Sequence, residues 1–183
     1  MRFILTLLMI VVGIAAHAQI PSNGLVAWYP FNGNANDESG NGRNGIVYNA
    51  AMGADRNGNA NSAYQFNGSS AYVELPQFPE YNNSNQISIS VWVKILGGNT
   101  NTNCNLGCAQ FIVSRANDFS TGHFKIGIPE NPGQSSFDGS ISPISGSGHI
   151  GSTAIRSIPM TNWVHVVLTY NGSTLRFYED GVL

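Results

Sequence analysis

Residues 87–95 read Ile-Ser-Ile-Ser-Val-Trp-Val-Lys-Ile, an unbroken alternation. Ile87, Ile89, Val91, Val93 and Ile95 fall on one side of an extended chain. Ser88, Ser90, Trp92 and Lys94 fall on the other, because successive side chains of a strand point to opposite faces. A helix turns once every 3.6 residues and would scatter the same apolar set around its axis. This stretch therefore reads as a strand with one buried face. Residues 163–170 alternate as well: Val164, Val166, Leu168 and Tyr170 against Trp163, His165, Val167 and Thr169. Bulk on both sides predicts a central strand covered on both faces.

Further strands are predicted at residues 25–31, 63–66, 71–75, 110–114, 123–128 and 174–179. Asn171-Gly172 after Tyr170 predicts a type I′ hairpin turn, and Asn67-Gly68 between Phe66 and Tyr72 reads the same way. Residues 129–155 are rich in Gly, Ser and Pro and are expected to form a long loop. No stretch beyond a turn or two carries a helical period. Many short strands without helices predict an all-β fold, a two-sheet antiparallel jelly-roll sandwich.

Residues 1–18 are set apart from that fold. Arg2, an apolar run from Phe3 to Ala16 and the Ala16-His17-Ala18 cleavage pattern make a signal peptide, too short for the ~20 residues of a spanning helix. Residues 19–183 are then one exported domain, secreted or held at the cell surface, with no membrane insertion after cleavage. The charge is sparse, 10% of residues, and nets to −2, which excludes a nucleic-acid partner. A hydrophobic share of 42% excludes a disordered tail. The chain stops at Val182-Leu183, just past the turn Glu179-Asp180-Gly181, so the domain is expected to be incomplete at its C-terminus and part of a longer parent protein.

Cys104 and Cys108 are the two cysteines. In an exported chain their spacing within a Gly/Asn loop predicts a small disulfide ring. The competing reading, half of a zinc site, has only His123 and His149 to complete it, at irregular spacing.

The loop after residues 25–31 is built almost wholly from Asn, Gly, Asp, Glu and Ser. Within it Asp37-Glu38-Ser39-Gly40-Asn41-Gly42 sets side-chain oxygens at alternate positions and ends on Gly, the first half of a calcium loop. Tyr48 stands where an EF-hand carries its bidentate Glu. Asp37, with Asn36, Ser39 and Asn41, is the candidate calcium set. The competing reading makes Asp37 a turn residue whose carboxylate accepts backbone N–H bonds.

Several stretches in order resemble the LamG-like jelly-roll domains of the concanavalin A-like lectin/glucanase superfamily. They are Gly24-Leu25-Val26-Ala27-Trp28-Tyr29-Pro30-Phe31, Asn36-Asp37-Glu38-Ser39-Gly40-Asn41-Gly42, Asp55-Arg56-Asn57-Gly58-Asn59-Ala60, Ala63-Tyr64-Gln65-Phe66-Asn67-Gly68, the strand at 87–93, Trp163-Val164-His165-Val166 and Tyr178-Glu179-Asp180-Gly181. The resemblance spans residues 24–183. It implies two antiparallel sheets packed face to face, calcium at the Asp37 loop, and ligand binding at a concave face or rim.

Some relatives in that superfamily hydrolyse glycosides. A retaining hydrolase needs two carboxyls about 5–5.5 Å apart, which on one strand means acids at i and i+2 or i+4. None of Glu38, Glu74, Glu80, Glu130 and Glu179 has an acid at those offsets. His165 reads as a packed, hydrogen-bonded histidine, and Asp118 and Asp138 read as solvated loop acids. The expectation is a non-catalytic binding or adhesion module for carbohydrate or an extracellular protein surface, with a polysaccharide-active enzyme or a structural spacer as alternatives. Tyr48, Tyr81, Phe119 and Phe137, in or beside loops, are the candidate ligand-stacking aromatics.

Overall fold

The computed structural model describes residues 20–83, 86–96, 110–115, 122–128, 137–142, 150–153 and 161–183. The signal-peptide segment, Cys104, Cys108 and Phe119 lie outside these, so the expectations on them do too.

Eleven strands appear among the described residues: β1 (Ile46–Tyr48), β2 (Ala51–Gly53), β3 (Ala63–Gln65), β4 (Tyr72–Glu74), β5 (Ile87–Lys94), β6 (Gln110–Arg115), β7 (Phe124–Ile128), β8 (Asp138–Ile141), β9 (Ile150–Thr153), β10 (Trp163–Tyr170) and β11 (Leu175–Glu179). One 3-10 helix, Pro79–Asn83, precedes β5. The strands form an antiparallel three-stranded sheet β11-β10-β5, a four-stranded sheet β6-β7-β8-β9 and the two small ladders β1-β4 and β2-β3. The fold is all-β, as the alternation of residues 87–95 requires.

The larger sheets face each other across one core. Ile126 and Ile128 of β7, Phe137, Val164, Val166 and Leu168 of β10 and Phe177 of β11 are buried together, with Ile89, Val91, Val93 and Ile95 packed against them. A second cluster gathers Tyr81, Phe124, Ile141 and Tyr170. The sheets approach closely at Gly139. A Cβ there would lie 2.4 Å from Leu168 Cδ1 and 2.8 Å from Phe177 Cδ2, so only a residue without a side chain fits.

β10 is central, as its pattern predicts, but its two faces differ. Val164, Val166, Leu168 and Tyr170 are buried, whereas Trp163, His165, Val167 and Thr169 are half-exposed on the outer face. The outer bulk reflects cross-strand pairing with Lys94, Trp92, Ser90 and Ser88 rather than a covering layer.

Other expectations change with the structure. Residues 25–31 join no ladder, because backbone groups of Leu25, Val26 and Trp28 bond to the Asp37 loop instead. Residues 129–155 were expected to be loop, yet β8 and β9 lie within them. Two apolar residues spaced for a sheet, Phe137 and Ile141, outweigh the Gly and Ser content there. Asp138 is no solvated loop acid; it lies on β8 with Lys125 Nζ 3.5 Å away. Asn67-Gly68 closes no hairpin, since β3 pairs with β2 and β4 with β1. Instead the Asn67 side-chain oxygen accepts the N–H groups of Ser69, Ser70 and Ala71. At Asn171-Gly172 only the glycine has positive φ, so the turn is not type I′. The Asn171 side chain instead accepts the N–H groups of Ser173 and Thr174, closing a four-residue loop between Tyr170 and Leu175.

Candidate functional site

Asp37 is a buried carboxylate that gathers backbone donors. Its Oδ1 accepts the N–H groups of Trp28 and Ser39, each at 2.9 Å, and its Oδ2 accepts the N–H of Arg43 at 3.0 Å. Burial pushes the carboxyl pKa up, but the hydrogen bonds from Trp28, Ser39 and Arg43 overcome it and hold the value at about 2. Asp37's own N–H donates to Asn44 Oδ1 at 3.0 Å. The loop thus closes on one acid, and it ties residues 25–31 to the start of β1.

This arrangement bears on both readings of the loop. Asp37 spends its lone pairs on N–H groups. Ser39 Oγ accepts from the Asn41 amide, and Asn41 Nδ2 donates to the carbonyls of Leu25 and Val26. Asn36 is exposed, and its N–H donates to Asn34 Oδ1. A calcium ion needs six to eight oxygens turned inward. Asn36, Asp37, Ser39 and Asn41 as placed do not fit one. Among the described residues, no three His, Cys, Asp or Glu come together as a metal set.

Just beyond Asn44, β1 and β4 pair in the register Ile46↔Glu74, Val47↔Val73 and Tyr48↔Tyr72. Alternation turns Val47 and Val73 inward and leaves Ile46, Tyr48, Tyr72 and Glu74 together on the outer face. Tyr48 and Tyr72 stack with ring centroids 4.6 Å apart and planes 18° from parallel, and they stay 37% and 50% exposed. The Glu74 charge, and its hydrogen bond to the Tyr48 hydroxyl, raise the Tyr48 pKa. Asn44, Ile46, Glu74, Leu75 and Pro76 line a shallow hollow of about 90 Å³ beside the pair. Apolar ring faces next to an acid and an amide make a surface that can stack a sugar ring and hydrogen-bond its hydroxyls.

Of the predicted aromatics among the described residues, Tyr48 alone is placed in that surface. Tyr81 and Phe137 are core residues, not ligand contacts. Tyr81 is 7% exposed with its ring edge-on to Phe124 at 5.4 Å, and Phe137 is fully buried near Phe177. Their loop-like neighbours in sequence hid the apolar contacts that fold them inward. Ile46, Tyr72 and Glu74 were not singled out by sequence reasoning. The signal was present in Ile-Val-Tyr and Tyr-Val-Glu, two three-residue alternations that place both tyrosines on the outer side.

An antiparallel sandwich whose loops are closed by side-chain hydrogen bonds defines an all-β domain of the concanavalin A-like kind. Residues 67–183 match the family model Laminin_G_3, of the concanavalin A-like lectin/glucanases superfamily, and the chain belongs to that family. Among solved structures it is similar to domain 4 of AbnA, a GH43 extracellular arabinanase from Geobacillus stearothermophilus, in complex with arabinotriose. The TM-score is 0.59 and the identity 22%, over 86% of this chain and 71% of that one, so the likeness is one of fold. No curated protein matches the chain.

Proposed function

We propose that this chain is a non-catalytic glycan-binding module of an exported protein, with Tyr48 and Tyr72 as its sugar-stacking platform. The observation that carries the reading is the solvent-exposed Tyr48–Tyr72 stack with Glu74 beside it. Two tyrosines already held against each other lose little freedom when a ligand settles on them. The Asp37 hydrogen bonds hold the loop that leads into β1. Export is proposed from the signal-peptide pattern of residues 1–18.

The register supports a binding role over hydrolysis. Glu74 faces Ile46 across the ladder and shares its face with Tyr72 and Tyr48, so no second carboxylate stands opposite it. Glu80, the nearest acid after it in sequence, is paired with Arg43. Arabinotriose, the ligand in the AbnA domain, is the first oligosaccharide to try. Calorimetric titration with arabinotriose and a panel of neutral oligosaccharides should show binding that Tyr72→Ala removes. Binding untouched by Tyr72→Ala moves the site elsewhere. Turnover of a polysaccharide by the folded protein replaces the reading with an enzyme.

A further inference from the structure

The outer face of the β11-β10-β5 sheet carries a second set of groups that the tyrosine platform does not use. Across the β5–β10 ladder Trp92 stands opposite His165, and Lys94 stands opposite Trp163. These four side chains form a two-by-two block on the outer side of the sheet. Trp92 is 41% exposed, and the His165 ring stacks against it with centroids 5.0 Å apart and planes 16° from parallel. His165 Nε2 lies 2.7 Å from Ser90 Oγ, which fixes the imidazole in that plane. From the β2–β3 connection Arg56 reaches over the block, its guanidinium carbon 4.5 Å from the Trp92 ring centre.

Three cations and two acids, Asp55 and Asp180, stand at this face, and the Asp55 charge acts on Arg56. Arg56 and Lys94 are exposed beside the tryptophans, and Arg176 is exposed further along β11, opposite Thr169. Among the described residues none of these three cations is held in an ion pair. The acids nearby are already engaged. Asp55 accepts the N–H groups of Asn57 and Asn59 and the Asn59 amide, and Asp180 accepts the N–H of His165. This concentration of cations occurs on a chain whose net charge is −2.

We propose that this face binds a carboxylate-bearing glycan, a polyuronate chain, with Arg56 and Lys94 taking the carboxylate and Trp163 taking a sugar ring. An arginine resting on an aromatic ring is oriented before its ligand arrives. Its planar fork meets a carboxylate with two parallel hydrogen bonds, which a lysine cannot reproduce. Trp92, its ring stacked on His165 and covered by Arg56, holds the guanidinium in place, and Trp163 lies diagonally across the block from it, opposite Lys94. The Tyr48–Tyr72 platform bears an acid instead of cations and would repel the same ligand. The two surfaces therefore fail or succeed separately.

Affinity electrophoresis of the protein through gels containing polygalacturonate, heparin or neutral arabinan tests the proposal. Polygalacturonate is expected to retard the protein, arabinan to leave the retardation of Arg56→Ala equal to wild type, and heparin to bind more weakly than polygalacturonate. Arg56→Ala and Lys94→Ala should each weaken polygalacturonate binding about tenfold, the loss of one charge-assisted contact. Arg56→Lys should recover only part of it, and Tyr72→Ala should change nothing. Near-ultraviolet circular dichroism confirms that each variant is folded. Absence of retardation by polygalacturonate overturns the proposal, as does equal retardation by heparin, which marks a general polyanion surface. Full binding by folded Arg56→Ala overturns it as well.

Discussion

Tyr48 and Tyr72 sit directly opposite each other on β1 and β4, rings 4.6 Å apart, yet both remain open to solvent. A pair so exposed contributes little to folding, since aromatic stacking adds only about 0.5–1.5 kcal/mol beyond the area it buries. Tyr72→Ala is expected to lower unfolding free energy by about 1 kcal/mol while removing glycan binding. Urea denaturation beside calorimetric titration separates the two effects. A loss of several kcal/mol would make the pair structural.

Phe137 gives the opposite expectation. It is wholly buried between the two sheets. Phe137→Ala should cost about 3–5 kcal/mol, the usual penalty for emptying an aromatic core site. Chemical denaturation reads this directly, and a cost below about 1 kcal/mol would contradict the packing described above.

The sandwich spacing at Gly139 predicts sensitivity to the smallest possible addition. Gly139→Ala places a methyl group 2.4 Å from Leu168 Cδ1, well inside van der Waals contact. The expected destabilisation is about 1–3 kcal/mol from overpacking. Gly58→Ala, with nothing within 4 Å of its added carbon but a φ of +84°, serves as the comparison for backbone strain without crowding.

Acid should loosen the Asp37 loop in a defined window. Its pKa is lowered from 3.8 to about 2 in the folded protein, so the charged form is favoured by folding. The stabilisation is complete above pH 3.8 and is lost as pH falls through about 2. Melting temperatures of wild type and Asp37→Asn should converge over that range. A constant gap down to the lowest pH would show that the carboxylate charge is not what holds the loop.

Calcium and chelator are expected to leave the melting temperature unchanged, because the oxygens of Asp37 and Ser39 already accept hydrogen bonds. A ligand bound only to the native state would raise the melting temperature with its concentration. Such a rise in wild type that Asp37→Ala abolishes would restore calcium to this loop. Asp37→Ala itself should cost about 2–3 kcal/mol, the loss of hydrogen bonds to a charged acceptor.

The long strands were legible in the sequence because burial on one face imposes a period of two over eight residues. β5 and β10 follow it along their whole length. The short strands were harder to read. Ile46–Tyr48 and Ala51–Gly53 offer three residues each, too few for a period, and they are held by partners distant in sequence. β8 was hidden by a Gly, Ser and Pro composition that reports backbone freedom but not the core contacts of Phe137 and Ile141. For the candidate site, Tyr48 was found because it lies beside a polar loop. Tyr72 and Glu74 were missed because a three-residue alternation gives their face but not the ladder register that sets Tyr72 opposite Tyr48. The Asp37 pattern was read correctly as a cluster of oxygens, but the sequence could not say which way those oxygens turn.

One consequence of the Asp37 hub concerns how this end of the domain opens. The amide protons of Trp28, Ser39 and Arg43 lie nine, two and six residues from the acid that holds them, yet they share a single acceptor group. Swinging that carboxylate away releases all of them at once. Hydrogen exchange at these scattered positions would then follow one rate, that of a latch, rather than the graded fraying expected along a ladder.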